Sequence, residues 1–304
     1  MDKFDIHILG CGSALPTVRH NPSSQIIDIR DKLFMIDCGE GTQLQLRKSR
    51  LRFGRLKHIF ISHMHGDHCF GLIGLISTLA LLGRNGDLTI HAVADMETVL
   101  RPQLDYFCKD LPFEVIIKPF DPYVSETIYD DRSVSIKTIP LNHRIPCAGF
   151  LFCEKEKERH LISEMIKFYD IPVKELPDIK KGADYITEDG RTIPNKNLTR
   201  PADPVRSYAY CSDTAYDERI IPIIQGADLL YHESTFASSE KARARKTGHS
   251  TAADAAQIAK LANVKKLMLG HFSSRYPDNT ILLKEAKAIF PDTILANENL
   301  LEKL

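Results

Sequence analysis

The stretch His58-Ile59-Phe60-Ile61-Ser62-His63-Met64-His65-Gly66-Asp67-His68 decides how the rest of this chain is read. Ile59, Phe60 and Ile61 form a compact apolar run of strand character that stops at His63. Three imidazoles and a carboxylate follow at once. In an extended segment residues i and i+2 point the same way, so His63 and His65 are expected on one face. Gly66 is expected to let the chain turn sharply and aim Asp67 and His68 at a second point. Nitrogen and carboxylate donors this dense suit a borderline cation such as zinc. The bland alternative is a surface loop that happens to be His-rich, and the spacing argues against it.

One cluster does not close two metal sites, and three later positions complete the set. They are His143 in Pro140-Leu-Asn-His143, Asp213 after Tyr208-Ala-Tyr-Cys-Ser, and His271 after Leu267-Met-Leu-Gly. Each follows an apolar run of strand character, which places each on a loop at a strand end. A lone His or Asp there is usually a surface or capping residue. Taken together they give His63, His65 and His143 for one metal, Asp67, His68 and His271 for another, and Asp213 as a bridge.

Working outward, Asp5–Leu9 reads as a strand running into the Gly10–Ser13 turn, and Ser24–Ile29 with Lys32–Ile36 as a hairpin. Phe70–Leu82 reads as a buried helix ended by Gly83, Met96–Tyr106 as a helix, and Phe113–Ile117 as a strand. From 154 to 206 charges crowd in, beginning with Glu-Lys-Glu-Lys-Glu-Arg at 154–159, and prolines recur at 172, 177, 194, 201 and 204. That segment reads as an insertion or protruding arm. Strand character resumes at Ser207–Ser212, and a helix is expected over Thr251–Leu261. Strands feeding loops that carry His and Asp predict a layered α/β sandwich with its site along one sheet edge.

Composition sets broad limits. The 304 residues are 43% hydrophobic and 26% charged, the balance of a globular protein with a substantial core. Met1–Asp5 is charged and Ile6–Leu9 is too short for a signal-peptide core, so a cytoplasmic location is the default expectation. Phe70–Leu82 falls short of the roughly 20 apolar residues needed to span a bilayer. The seven cysteines are scattered with no C-x-x-C pair, which predicts buried thiols rather than disulfides or a cysteine zinc site. Formal net charge is zero, so any nucleic-acid contact has to come from local basic patches.

The His-x-His-x-Asp-His string followed by His, Asp and His resembles the metallo-β-lactamase superfamily. Further motifs narrow the likeness to ribonuclease Z: Gly10-Cys-Gly-Ser-Ala-Leu-Pro-Thr17 with Asn21-Pro-Ser-Ser24, Asp37-Cys-Gly-Glu-Gly-Thr-Gln43, His232-Glu-Ser-Thr, Gly248-His-Ser-Thr251 and His271-Phe-Ser-Ser-Arg-Tyr276. This resemblance spans nearly the whole chain. It implies a four-layer αβ/βα sandwich, a single metallo-β-lactamase-like domain over 1–304, with 154–206 as an inserted arm that grips tRNA. It also implies two Zn2+ per subunit, a homodimer, and removal of 3′ trailers from precursor tRNA with a 3′-hydroxyl left on the tRNA. Asp37 would support the metal site by hydrogen bonding from behind.

Within that chemistry Asp67 is expected to orient the attacking water and accept its proton. His249 is the candidate donor to the departing ribose oxygen, since it is not needed as a ligand and imidazole titrates near neutral pH. Glu233 is expected to hold His249. The plain alternative for His249 is a residue ahead of a Ser250/Thr251 helix cap. Arg47, Lys48, Arg50, Arg52, Arg55 and Lys57 form a basic run that is either a solvated face or a phosphate contact. Lys241, Arg243, Arg245 and Lys246 precede His249 and suit RNA backbone. The competing function is a related binuclear hydrolase acting on small phosphodiesters or sulfate esters.

Overall fold

Strand Lys32–Cys38 shows why the chain stacks in layers. Its residues alternate between two apolar interiors: Phe34 and Ile36 enter one core cluster, Leu33 and Met35 another. Ile27 and Ile26, and Phe60 and Ile59, divide the same way. A strand with period-2 side chains and both faces buried needs cover on both sides, and the continuous apolar runs supply it.

The structure is a computed structural model that describes residues 3–304, so the first two residues of the charged Met1–Asp5 start lie outside the described residues. The described chain folds as two compact units, residues 154–205 and the remainder. The larger unit holds two seven-stranded sheets. The first runs Leu301–Lys303, Phe4–Gly10, Ser24–Ile29, Lys32–Cys38, Leu56–Phe60, Leu88–Ala92 and Val115–Pro119 from edge to edge. The second runs Thr293–Leu295, Lys266–Gly270, Leu229–Glu233, Ser207–Cys211, Ala148–Glu154, Val134–Pro140 and Thr127–Asp130. Between the sheets Phe34 and Phe60 meet Phe152 edge to face, with ring centroids 6.0 and 5.8 Å apart, and Phe60 meets Phe150 at a tilt at 5.5 Å. Helices Leu72–Leu81 and Asp95–Phe107 cover the outer face of the first sheet, and Ala252–Leu261 and Thr280–Lys287 pack on the second. This is the four-layer α/β sandwich.

The smaller unit has its own apolar centre of Ile171, Ile179, Ile193 and Leu198, with two short antiparallel pairings, His160–Leu161 with Thr199–Arg200 and Tyr185–Ile186 with Thr192–Ile193.

Several sequence expectations shift. The helix read over Phe70–Leu82 spans Leu72–Leu81 and buries one face only, through Leu72, Leu75, Ile76 and Leu79; Leu81 is 86% exposed. An unbroken apolar run hid that one-sidedness. The strand read at Phe113–Ile117 is Val115–Pro119. Thr251 is not the first helical residue but the cap of Ala252–Leu261, in a reciprocal capping box with Asp254. At Gly66 the chain turns from an extended His65 straight into the short helix Gly66–Cys69, with no left-handed backbone, and Asp67 and His68 group with His271 as expected. Its lack of a side chain serves the ring of Phe70, which would lie 2.3 Å from a Cβ at position 66.

Gly149 shows how tightly the second sheet closes, since a Cβ there would stand 2.2 Å from the backbone carbonyl oxygen of Tyr210 on the neighbouring strand. Backbone cannot step aside as a flexible side chain does. Gly149→Ala is expected to cost about 1–3 kcal/mol of stability, seen as a lower thermal midpoint with circular dichroism otherwise unchanged. An unchanged midpoint would contradict this packing.

Candidate metal centre

The ends of five strands and the loop after a sixth deliver the site. Leu56–Phe60 leads through Ser62 to His63, Val134–Pro140 to His143, Ser207–Cys211 to Asp213, and Lys266–Gly270 to His271. Asp37 lies near the end of Lys32–Cys38, and Glu233 ends Leu229–Glu233. Asp37, Asp213 and His271 adopt φ values of 55°, 53° and 57°. Left-handed backbone at non-glycine residues costs of order 1–3 kcal/mol each and is kept where surrounding structure enforces it. Here it turns three polar side chains back over the strand ends.

The seven residues singled out as ligands come together. His63, His65, His143 and Asp213 form one group of donor atoms, all within 4.8 Å of one another, and Asp67, His68 and His271 form a second. Asp213 stands between them. Its Oδ2 is 3.6 Å from His63 Nε2 and 3.7 Å from His143 Nε2, and its Oδ1 is 3.2 Å from His68 Nε2 and 3.1 Å from His271 Nε2. Asp67 Oδ2 lies 3.5 Å from both His68 Nε2 and His271 Nε2. His63, His68, Asp213 and His271 are buried and His65, Asp67 and His143 half-buried; His65, Asp67, Asp213 and His271 line the cavity.

Hydrogen bonds behind these rings fix which nitrogen points inward. His143 Nδ1 is 2.8 Å from the Gly248 carbonyl, which can only accept, so Nδ1 carries the proton. His68 Nδ1 donates to Asp37 Oδ2 at 2.7 Å. Ser62 Oγ donates to Asp37 at 2.9 Å and therefore accepts from His63 Nδ1 at 3.0 Å. Thr235 Oγ1 donates to Glu233 Oε2 at 2.7 Å and accepts from His271 Nδ1 at 2.9 Å. Four imidazoles thus present unprotonated Nε2 atoms to one space. Tyr210 Oη and Ser62 N complete the contacts of Asp37.

A divalent cation fits this donor set. The Nε2 atoms of His68 and His271 are buried without a hydrogen-bond partner. His63 Nε2 and His65 Nδ1 stand only 2.9 Å apart, and His65 Nδ1 and His143 Nε2 3.3 Å, so three ring nitrogens converge closely enough to share one cation. Burial and neighbouring histidines push the His63 pKa well below its ordinary value, which keeps the ring neutral, as a ligand must be. Burial acts against the charge on Asp213, but the surrounding histidines outweigh it and hold its carboxyl well below the usual range.

His249 stands beside this centre, its ring 5.5 Å from that of His271 and 5.1 Å from that of His143. Its Nδ1 donates to Glu233 Oε1 at 2.8 Å. Glu233 is fully buried and also accepts from Thr214 N at 2.7 Å and Ser250 N at 3.1 Å. Burial works against protonating His249, but the Glu233 charge and hydrogen bond prevail and raise its pKa to about 9. The two readings of His249 also meet here, because it directly precedes the cap of Ala252–Leu261 while facing the cavity.

The cavity over the centre has a volume of about 500 Å3. Arg144 and Arg275 are on its wall, neither foreseen from sequence although Arg144 adjoins His143. Arg275 lies 4.8 Å over the Phe236 ring and pairs with Glu240 at 3.1 Å. The exposed Phe70 and the Ser13–Ala14 turn line it too, and Ala14 N donates to Asp67 Oδ2 at 2.7 Å. None of the basic run 47–57 lines this cavity, and Arg55 pairs with Asp31. Thr235 and Ser62 were also missed as individual residues; hydroxyls that orient ligands carry no sequence signal beyond adjacency to one.

Residues 4–170 match the family model of the Anti-Pycsar protein Apyc1. The chain is 60% identical to a ribonuclease Z of Bacteroides fragilis over 300 residues, covering 99% of each, and 56% identical to a ribonuclease Z of Porphyromonas gingivalis with the same coverage. Among solved structures it is similar to the short form of human tRNase Z, with a TM-score of 0.71, 25% identity and 98% of each chain covered. It also shares its fold with the metallo-β-lactamase fold protein YhfI of Bacillus subtilis, with a TM-score of 0.70 and 20% identity over the full length of both. The chain, an enzyme of metallo-β-lactamase fold, belongs to the ribonuclease Z family.

Proposed function

We propose that this chain is a zinc-dependent endoribonuclease that removes 3′ trailers from precursor tRNA and leaves a 3′-hydroxyl on the tRNA. The observation that carries it is the convergence of the two donor groups on either side of Asp213, with His249 and Glu233 beside them, in a chain 60% identical to a ribonuclease Z. His63, His65 and His143 would hold one Zn2+, Asp67, His68 and His271 the other, and Asp213 would bridge. Bound there, the pair supplies water activation near neutral pH and neutralises charge on the phosphoryl oxygens. Asp67 orients the attacking water and takes its proton, steadied by the Ala14 amide. His249 donates the proton that the departing ribose oxygen needs, from Nε2, since Nδ1 is committed to Glu233. Arg144 and Arg275 offer charge to phosphates entering the cavity.

The second reading, a hydrolase of small phosphodiesters or sulfate esters, shares the metal centre. It is favoured by the zero net charge alone. Precursor tRNA assayed beside bis-p-nitrophenyl phosphate separates the two: turnover of the small ester only would exclude the RNA reading.

We further propose that the unit 154–205 is the arm that grips tRNA and that the chain works as a homodimer in the cytoplasm, with its substrate. Leu81, Tyr106 and Phe107 are 86%, 73% and 67% exposed around one surface hollow on Leu72–Leu81 and Asp95–Phe107, an apolar patch suited to a second copy. All seven cysteines are free thiols, in keeping with a reducing compartment. Among the described residues no helix is long and apolar enough to cross a membrane.

Asp67→Ala is expected to abolish cutting, and His249→Ala to slow it by about 10²–10⁴-fold with normal metal content by elemental analysis; loss of metal in the second variant would make His249 a ligand. Glu233→Gln leaves burial to act on His249 without its charged partner, so its pKa falls from about 9 and the alkaline limb of the pH–rate profile moves to lower pH. A limb that stays in place rules out His249 as the titrating donor. Light scattering should give twice the chain mass, and replacing 158–200 by a short Gly-Ser linker should raise KM for precursor tRNA; a monomer, or an unchanged KM, refutes the corresponding assignment.

A further inference from the structure

His249 lines two cavities: the catalytic one and a neighbour of about 390 Å3 formed by Tyr216, Lys241, Arg245, Asp254, Gln257 and Ile289. That volume falls in the range of small-ligand sites, roughly 300–1,000 Å3. Lys241 and Arg245 are four residues apart on helix Lys241–Thr247 and so share a face, whereas Arg243 and Lys246 do not line the cavity. Lys241 pairs with Asp254 at 3.2 Å, and Arg243 is engaged by Glu240 at 3.0 Å. Arg245 has no ion-pair partner among the described residues. Tyr216 is 36% exposed and its hydroxyl donates a 2.7 Å hydrogen bond to Glu218.

Reaction polarity assigns this cavity an occupant. In hydrolysis that leaves a 3′-hydroxyl, a water oxygen bonds to phosphorus and the phosphorus–O3′ bond breaks. The water's proton goes to Asp67, His249 gives one to O3′, and the phosphate stays on the 5′ oxygen of the downstream nucleotide. The ribose bearing O3′ must therefore lie against His249, while the downstream nucleotide makes no demand on it. We propose that the cavity of Tyr216, Lys241, Arg245 and Gln257 is the subsite for the nucleotide immediately upstream of the cut. Tyr216 offers a face on which its base stacks, Gln257 an amide that both donates and accepts at the base edge, and Lys241 and Arg245 charge for the phosphate on its 5′ side. The subsite rests on the endoribonuclease reading and refines it by naming where the leaving group sits.

The test uses full-length protein and precursor tRNAs carrying one abasic position, either just upstream or just downstream of the cut. For the unaltered chain the upstream lesion is expected to lower kcat/KM about tenfold, the worth of one base–aromatic stack. In Tyr216→Ala the ratio of intact to upstream-abasic substrate should fall toward one, while the downstream ratio stays as in the unaltered chain. Because each ratio is taken within one protein, partial misfolding does not produce the effect. Arg101→Ala, on the distant helix Asp95–Phe107, should keep both ratios. A 4-thiouridine upstream of the cut should crosslink to Tyr216 or to residues 241–257. Normal cutting with an upstream ratio unaffected by Tyr216→Ala overturns the subsite alone, as does transfer of the dependence to the downstream nucleotide. No cutting of intact precursor by the unaltered chain overturns the endoribonuclease reading and the subsite with it.

Discussion

The crowding of ring nitrogens and carboxylates in one buried space governs this molecule's centre. Four Nε2 atoms and one Nδ1 face one space, with contacts as short as 2.9 Å, and three carboxylates lie among or behind them. In the absence of cations such an array is costly, because buried carboxylates and ring nitrogens are desolvated. With cations it becomes a closed shell of ligands. The left-handed backbone at Asp37, Asp213 and His271 belongs to the same balance. Three strained residues at strand ends in both sheets are tolerable only in a frame that does not yield, and two seven-stranded sheets with apolar cover on both faces give that frame.

Glu233 ties the acid–base chemistry to the metal centre. One oxygen receives His249 and the Thr214 amide; the other receives Thr235, whose hydroxyl in turn accepts from His271. A single buried carboxylate therefore sets the tautomer of the proposed donor and, through one hydroxyl, that of a proposed ligand. Its negative charge is stabilised by backbone amides as well as by His249, so it stays ionised where burial alone would neutralise it. A substitution at Glu233 disturbs both functions, which is why a metal measurement must accompany any rate.

The proposed ligand residues were legible because they are polar residues on loops that follow apolar runs, and a strand end is where such a residue meets its counterparts from other strands. His143, Asp213 and His271 could be paired with the 63–68 loop on that ground and on resemblance, without knowledge of strand order. What sequence could not show was anything decided by orientation. Phe70–Leu82 is apolar almost throughout, so its exposed residues, Phe70 and Leu81 among them, could not be told from its buried face. Gly66 suggested a turn because glycine commonly makes one, while the actual demand comes from a ring four residues on. Thr235, Ser62 and the Ala14 amide act through hydrogen-bond direction, which no spacing encodes.

Charge illustrates the same limit from the other side. A net charge of zero weighs against nucleic-acid binding only if charge is spread evenly, and here it is not. The long basic run at 47–57 is the conspicuous feature of the sequence, yet it lies away from the catalytic cavity and part of it is engaged in a surface ion pair. Arg144 and Arg275, isolated in sequence, are the cations on the cavity wall. Lys241 and Arg245 border the adjoining hollow. Phosphate responds to charge density within about a Debye length, near 10 Å at ordinary ionic strength. Cations that line the cavities therefore count for more than a longer run that does not.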